Sequence, residues 1–420
     1  MSADMKTKKE HSWHGPKQIG MMIYTAILFL IGTSIIGGNN NTVFPMFAEI
    51  RGWNINIINI VSGAGCIVKA LGVLALAGLV RKIGAKMLSA VTLFISAALL
   101  LVFGFTESLP LFLIVILVIG FLGGGYEKNG GMTLTASWWP TKKGVVLGFT
   151  TMGIVAMNFL YVPMMPRLLS ALGLGGGMAV IAVILVVVGI VTLVCIHNNP
   201  EEVGEYPDGD PTYAVNGAEV EKMMREYKSP FTLGKVCSDR NSWLIGLGSA
   251  LAFMAVMSYI ASAIPAMMGY GYDYGFATTI FAVGGVMGII GSFLFGLVDQ
   301  YVGTKKAFVI YFVLIIIGFI FTVLMPKGAI FCWLAGIIVF AAQGALCNLL
   351  PSYVATKYGR WDYTAGYQVI GTIFEIGAGI GVMMTGFFAN TTAMYIFDIV
   401  ALVIGLVMMF ASNDSFIGKK

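Results

Sequence analysis

The residues most able to do chemistry in this 420-residue chain are five charges inside otherwise apolar stretches. They are Lys69, Glu127, Lys128, Glu375 and Asp398. A charge at the centre of a membrane helix costs about 2.5–3.5 kcal/mol, so such residues face protein or water and mark pathways for ions or solutes. A lysine there can neutralise a carboxylate, and a carboxylate can carry a proton. For Asp398, the last of the five, we favour a structural role or contact with lipid headgroups.

Glu127 and Lys128 follow each other between two glycine clusters, Gly123–Gly125 and Gly130–Gly131. Adjacent side chains on a helix point about 100° apart, so we expect these two charges to face different targets. Each glycine weakens a helix by about 1 kcal/mol relative to alanine, which predicts an irregular helix that lines a site. The alternative is that the glycines only permit close helix packing. Tyr126 is expected to face a cavity and donate a hydrogen bond.

Amide side chains form a second polar group. The first apolar stretch ends at Asn39, Asn40 and Asn41, which could bind a carboxylate or cap a helix end in water. Asn158 and Gln343 are isolated within apolar stretches, and this favours hydrogen bonds between helices over ligand binding.

Twelve apolar stretches supply the elements that must hold these residues. A membrane span takes about 20 mostly apolar residues, because lipid offers no partner to backbone polar groups. The stretches are residues 20–46, 55–80, 87–105, 109–137, 144–165, 176–196, 242–267, 275–297, 307–324, 328–350, 364–388 and 393–411. The chain is 58% hydrophobic and 11% charged. Soluble domains carry about 25% charged residues, so a soluble protein of this size is excluded.

Lysine and arginine are distributed unevenly between alternate loops. The set that contains both termini and residues 198–241 carries 20 of the 25, and the other set carries three. The positive-inside rule predicts that the first set is cytoplasmic. The net charge of +5 belongs to this pattern and does not indicate nucleic-acid binding. We expect a multi-pass protein of the plasma membrane, present as a monomer, with both termini in the cytoplasm.

The chain divides into two similar halves. The predicted divisions are a tail at 1–19, a six-span half at 20–197, a central loop at 198–241, a second six-span half at 242–411 and a tail at 412–420. The basic turn Gly78–Lys86 after the second span matches Gly296–Lys306 after the eighth. Such repeats are typical of transporters whose halves rock about a central site.

These basic turns resemble the signature loop of the major facilitator superfamily. Similarity to its oxalate/formate antiporter and monocarboxylate transporter branch is carried by Trp138–Gly144 and Asn199–Gly209. The resemblance implies an all-α integral membrane fold with twelve transmembrane helices in two pseudo-symmetric six-helix halves. Dicarboxylate carriers of that branch use an arginine in the eighth span and a lysine in the eleventh. Here the eighth span has neither, and Glu375 is the only charge of the eleventh, which favours a monocarboxylate over oxalate.

In the fold that this resemblance implies, the second and eleventh spans pack across a central cavity. Lys69 and Glu375 lie near the middle of these two spans. The resemblance therefore implies a pair between the halves. It could form in one access state, contact the substrate, or be a static structural ion pair.

We therefore expect a secondary active transporter of a small, monocarboxylate-like organic anion, working by alternating access as a proton symporter or an anion exchanger. Lys69 or Lys128 would neutralise the carboxylate. Tyr126 and the amides of Asn39–Asn41 would orient it, and Glu127 or Glu375 would carry a proton or act in gating. The alternative substrate is a zwitterionic or cationic solute, because three of the five charges within spans are acidic.

An enzyme is not expected. No His lies deep in a span and no HExxH pattern occurs, so we assign neither catalytic residues nor metal ligands. The glycine-rich runs lack the Lys-Ser/Thr of a P-loop, which argues against an ATP-driven pump and leaves no cofactor. The expected partners are the solute, protons and the lipid bilayer.

Overall fold

The computed structural model describes residues 14–139, 142–211 and 229–418, and within these ranges the chain forms helices and no strand. Eleven helical segments of this part are long and apolar enough to cross a membrane. One of them, Gly148–Cys195, has 48 residues and breaks at Gly173, where φ is 73°. It therefore supplies two spans. The prediction of an all-α membrane protein with twelve spans is confirmed.

We number the spans 1 to 12 in chain order. They are Pro16–Ile36, Ile55–Val80, Lys82–Phe105, Leu109–Trp138, the two parts of Gly148–Cys195, Arg240–Gly269, Tyr274–Val302, Thr304–Lys327, Ala329–Gly359, Ala365–Phe387 and Thr391–Ala411. Two short helices, Val43–Arg51 and Leu233–Ser238, lie between spans. Because the number of spans is even, the start of span 1 and the end of span 12 lie on one side of the bundle. We call this the tail side and the opposite side the far side.

Glycines with positive φ join neighbouring spans where a loop would otherwise be needed. The helical stretch Ile55–Phe105, which supplies spans 2 and 3, breaks at Gly84, and Gly303 follows the end of span 8; their φ, ψ are 82°, 160° and 86°, 150°. Only glycine adopts this region without strain. The two turns that the sequence pairs thus share a backbone conformation. Gly173 and Gly359 form similar joints after spans 5 and 10.

Span 1 is shorter than predicted. The apolar pattern predicts a helix over residues 20–46, but the helix ends at Ile36 and a 3-10 turn follows at Gly38–Asn41. The prediction of one continuous span is wrong, because asparagine side chains compete with the helical hydrogen-bond ladder. The Asn39 side chain donates to the Ile35 carbonyl at 2.7 Å.

The two halves, spans 1–6 and spans 7–12, meet closely at the far side. A Cβ atom added to Gly63 of span 2 would lie 2.5 Å from the Gly379 carbonyl of span 11. One added to Gly386 would lie 2.4 Å from the Asn56 carbonyl. Backbones approach this closely only where small residues face each other. The far ends of spans 2 and 11 are therefore in direct contact.

The segment between the halves is anchored to both of them. The Asn198 side chain accepts a hydrogen bond from the Lys86 backbone of the first half at 2.9 Å. The Ser229 hydroxyl donates to Asp362 of the second half at 2.5 Å. Residues 212–228, part of the predicted central loop, lie outside the described residues.

Candidate functional site

Close packing of spans 2 and 4 positions the first charges of the site. A Cβ atom on Gly72 would lie 2.2 Å from the Phe121 carbonyl, and one on Gly124 would lie 2.7 Å from the Lys69 carbonyl. Glycine at these positions lets the two backbones touch. The Lys69 side chain is therefore brought directly against span 4.

Span 4 contains a π-helical turn at Gly124–Gly130, which carries Glu127 and Lys128. Such turns are rare and occur frequently at functional sites. The predicted irregularity of this helix is confirmed. The two charges contact different partners, as expected, because Glu127 pairs with Lys69 and Lys128 pairs with Glu375. They also contact each other, which was not expected, since Lys128 Nζ lies 3.5 Å from Glu127 Oε1. Their long side chains and the wider turn allow them to meet.

Four charges form one continuous chain of contacts. Lys69 Nζ lies 2.8 Å from Glu127 Oε2, and Lys128 Nζ lies 3.0 Å from Glu375 Oε1. The contact between Glu127 and Lys128 connects these two pairs. We call the four residues the charge network. Two lysines and two glutamates give it a formal charge of zero.

The lysine that pairs with Glu375 differs from the expected one. Lys69 contacts Glu127 within the first half, because the glycines of spans 2 and 4 bring these residues together. Glu375 of span 11 is paired with Lys128 of span 4. A pair between the halves therefore exists, but in this state it is formed by Lys128 and not by Lys69, and a direct contact of Lys69 with Glu375 in another access state stays a prediction.

Exposure in the charge network is lowest at Glu127 and increases from there to Glu375. The exposed fraction is 1% for the Glu127 side chain, 10% for Lys69, 16% for Lys128 and 23% for Glu375. Span 1 makes room for Glu127 with Gly32, whose Cβ atom would lie 2.1 Å from Glu127 Oε2. A buried carboxylate is stable where cations compensate it, and Glu127 has two. Glu127 is thus the fixed centre, and the pair between the halves is the accessible end.

Aromatic and thiol groups surround this accessible end. Lys128 Nζ lies 5.8 Å from the centroid of the Phe29 ring, within the range of a cation–π interaction. Tyr367 and Cys347 of the second half are near enough to interact electrostatically with Lys128 and Glu375. Sequence reasoning missed these three residues, because only helix packing brings them to the charges. Among the described residues no group of three or more His, Cys, Asp or Glu could hold a metal ion.

Tyr126 is fully buried, so the prediction that it faces a cavity is wrong for this state. Its hydroxyl has no hydrogen-bond partner within the described part of the chain. An unpaired buried hydroxyl is unfavourable, and a change of state or a ligand could satisfy it. A role for Tyr126 in substrate binding stays a prediction.

Asn39, Asn40 and Asn41 are also buried, so the alternative that they cap a helix end in water is wrong. Each amide uses both its oxygen and its nitrogen within the protein. The partners are Tyr161 and Ile35 for Asn39, Ser62 and Asn59 for Asn40, and Ile264 and Ile260 for Asn41. Asn41 thereby links span 7 to the first half. Substrate binding by these amides stays a prediction, and it would require them to exchange partners.

Asn158 and Gln343 connect the halves near mid-depth. Asn158 Nδ2 of span 5 donates to Gln343 Oε1 of span 10 at 3.1 Å, which confirms the predicted interhelical hydrogen bond. The other end of each amide, Asn158 Oδ1 and Gln343 Nε2, is buried without a partner in the described ranges. Two polar atoms between the halves thus remain available to a ligand, which their isolated positions in the sequence did not indicate.

Comparisons with known proteins agree with this architecture. The family model described as Major Facilitator Superfamily matches residues 25–382. Two crystal structures of a bacterial homologue of the human lysosomal transporter Spinster are similar in fold. The inward-facing, unoccupied form gives a TM-score of 0.68 at 14% identity and covers 94% of this chain and 97% of that one. The inward-facing, occupied form gives 0.69 at 13% identity and covers 96% and 98%.

The comparisons do not extend below the level of the superfamily. The curated proteins contain no match to this chain. At 13–14% identity the likeness to the two solved structures shows the fold alone. The resemblance to the oxalate/formate antiporter and monocarboxylate transporter branch therefore stays a prediction.

Proposed function

The chain belongs to the major facilitator superfamily of transporters, and we propose that it carries a small, monocarboxylate-like organic anion together with a proton. One observation carries this proposal. The Lys128–Glu375 pair joins the two halves at the accessible end of a neutral charge network. A ligand that enters between the halves meets this pair.

In the proposed mechanism the substrate carboxylate and Glu375 compete for Lys128. A proton that binds Glu375 removes its negative charge and frees the Lys128 ammonium for the substrate. One proton and one anion leave the site neutral, which avoids an uncompensated charge within the membrane. When the substrate leaves, Glu375 releases its proton and the pair forms again. Proton and anion are therefore bound together.

The other two charges position Lys128 in this mechanism. Glu127 is almost fully buried and contacts both lysines, so its negative charge is already compensated. Lys69 is occupied by Glu127 and has little exposed surface. We therefore assign the substrate to Lys128 and the proton to Glu375, and we assign Lys69 and Glu127 to holding Lys128 in place.

We further propose that the tail side is cytoplasmic and that the structure is inward-facing. The excess of Lys and Arg in tail-side loops supports this orientation. The direct contacts between spans 2 and 11 at the far side support closure towards the outside. The same proposal places the carrier in the plasma membrane as a monomer.

A zwitterionic solute is the second candidate. Lys128 and Glu375 present both signs of charge 3.0 Å apart, at the most exposed point of the network. A molecule with one ammonium and one carboxylate could insert between them and satisfy both. Such transport would need no accompanying proton.

Uptake by purified protein in proteoliposomes tests these candidates. Labelled monocarboxylates and betaines would be offered with and without an inward proton gradient. We expect the gradient to drive accumulation of a monocarboxylate. Glu375→Gln should lose this accumulation but keep carboxylate exchange, because Lys128 is then permanently free. Glu49→Gln, at an exposed glutamate of the far side, is the matched control and should behave like the parent.

The outcomes separate the candidates. Betaine uptake without a gradient, with affinity lost in Glu375→Gln, would establish the zwitterion instead. Transport of neither class would contradict both.

A further inference from the structure

A second buried carboxylate, Asp398 of span 12, lies outside the charge network. It is fully buried, so the predicted contact with lipid headgroups is wrong. Its Oδ2 atom contacts the Ser258 hydroxyl of span 7, and its Oδ1 atom has no hydrogen-bond partner among the described residues. Lys, Arg and His residues of those ranges make no ion pair with it. A negative charge would be highly unfavourable there.

The hydrogen bonds around Asp398 are compatible with a protonated carboxyl group. The Ser258 hydroxyl has a single hydrogen and lies 2.9 Å from the Ala255 carbonyl, which can only accept. The neighbouring Ser262 hydroxyl likewise donates to the Ser258 carbonyl at 2.6 Å. The Ser258 hydroxyl is also placed to donate to Asp398 Oδ2, and its one hydrogen serves one of these two acceptors at a time. When it goes to the Ala255 carbonyl, a protonated Asp398 can donate to the Ser258 oxygen, and the complete burial of the carboxyl group favours this neutral form.

Within the described ranges, no cationic side chain forms an ion pair with Asp398 that could replace this proton. Span 7 contributes Ser258, Ser262 and Tyr259, and span 12 contributes Tyr395, whose hydroxyl lies 2.9 Å from that of Ser262. The neighbouring spans 9 and 10 contribute phenylalanine rings to the tyrosine cluster. The titratable groups near Asp398 are Tyr259 and Tyr395, with Tyr270 and Cys332 next to them, and phenols and thiols are neutral at physiological pH. A metal cation would need a shell of oxygen ligands, whereas Asp398 Oδ1 has no hydrogen-bond partner in the described part of the chain.

The same stretch of span 7 also closes the far side of the carrier. Asn41 of the first half donates to the Ile260 carbonyl, and its oxygen accepts from the Ile264 backbone at 3.5 Å. Pro265 follows directly and has no N–H, which leaves this part of the helix easier to deform. Residues 258–264 are thus held from one side by Asp398 and Tyr395, and from the other by Asn41.

We propose that Asp398 is a proton-binding site whose occupancy controls closure of the far side through span 7. With the proton bound, Asp398 and the hydroxyl groups around it keep their hydrogen bonds. Span 7 then keeps the conformation in which it bonds to Asn41. Release of the proton to water leaves a carboxylate that must be hydrated, so water enters between spans 7 and 12. Residues 258–264 of span 7 then change conformation, and their hydrogen bonds to Asn41 break. This site needs no substrate and is independent of the exchange at Glu375.

Infrared spectroscopy of the whole protein in lipid tests the protonation. The C=O stretch of a protonated carboxylic acid is separate from that of a carboxylate. At neutral pH we expect such a band in the parent and in Glu375→Gln, and its loss in Asp398→Asn. Identical carboxyl bands in the parent and Asp398→Asn would overturn the proposal.

A distance measurement tests the coupling to the far side without any substrate. Spin labels would be attached at Glu49→Cys and Ala389→Cys, which are exposed far-side positions of the two halves, after replacement of the five native cysteines. The chain would also carry Glu375→Gln, which removes the titration of that residue. We expect the population with a short distance to fall as pH rises. In Asp398→Asn this population should stay high at every pH.

If Asp398→Asn does not fold, two serine variants of span 7 still test the proposal. Ser258→Ala removes the hydrogen-bond partner of the protonated carboxyl group. The pH midpoint at which the short-distance population falls should therefore decrease by about one unit. Ser249→Ala is the control, because Ser249 is a buried serine of span 7 that bonds only to its own helix. An unchanged midpoint or a shift to higher pH in Ser258→Ala would overturn the proposal. So would a pH response that Asp398→Asn leaves intact, or a response to sodium at fixed pH.

Discussion

At the scale of single residues, Lys128 is the position on which the site depends most. Its ammonium contacts Glu127 and Glu375 and lies near the Phe29 ring. It is the lysine with the larger exposed fraction, and it belongs to the pair between the halves. Removal of one charge from a buried network leaves its partners uncompensated, which costs more than the intact pair contributes.

We predict that Lys128→Ala abolishes uptake or raises the apparent KM at least about tenfold, since a hydrogen bond to a charged group contributes about 1.5–3 kcal/mol. Lys142→Ala, in the tail-side turn after span 4, is the control and should change the KM little. Radiolabelled uptake would be measured after membrane insertion of both variants is verified. A folded Lys128→Ala protein with unchanged KM would rule out the organic-anion proposal.

A charge exchange tests the pairing itself. Lys128→Glu combined with Glu375→Lys should recover part of the transport that each single change loses, because the opposite charges still meet. The double-mutant cycle should show a coupling of about 0.5–3 kcal/mol. The parallel cycle on Lys69 and Glu375 should be close to additive. The reverse result would favour a direct Lys69–Glu375 pair.

At the scale of helices, apolar length was sufficient to predict the spans, because lipid leaves a backbone no other way to satisfy its polar groups. The glycines of span 4 also indicated its irregular turn. The partner of Glu375 was not predictable, because it depends on how closely two helices approach. Gly72 and Gly124 set that distance against residues on a different helix. The sequence also did not predict that span 1 ends at Ile36. Most hydrogen-bond partners of Asn39–Asn41 lie on other elements, so they depend on how the helices pack.

Gly72→Ala tests the close packing of spans 2 and 4. Its Cβ atom would lie 2.2 Å from the Phe121 carbonyl, so the helices must separate. We expect a loss of about 1–3 kcal/mol in stability, measured as a lower thermal midpoint, together with weaker uptake. Gly78→Ala on the same span is the matched control, because its Cβ atom meets nothing within 4 Å. Equal midpoints for the two variants would contradict this role of Gly72.

At the scale of the whole molecule, the halves are joined by contacts of different kinds. Backbone contacts between spans 2 and 11 and the Asn41 side chain close the far side. The Asn158–Gln343 bond and the Lys128–Glu375 pair connect the halves deeper in the bundle. In the proposed mechanism, a change of access breaks the first set, and binding of substrate and proton acts on the ion pair.

The orientation of the molecule can be tested with single cysteines at two exposed positions in a chain without native cysteines. Lys235→Cys lies on the tail side and Ala389→Cys on the far side. A membrane-impermeant thiol reagent should label Ala389→Cys in intact cells, and Lys235→Cys only after permeabilisation. The reverse pattern would overturn the proposed orientation, and labelling of both from one face would contradict the twelve-span fold.

The glycine joints restrict which movements are open to the protein. Each joint is a single glycine between two successive helices, so the two joined helices cannot slide past each other. The joints are Gly84, Gly173, Gly303 and Gly359. Each half contains two of these joints, and the two halves are linked by the longer segment from Ile196 to Asp239. A gene divided within that segment would encode two polypeptides that each keep all their joints. These fragments are expected to fold separately and to assemble in the bilayer as the two subunits of a working carrier.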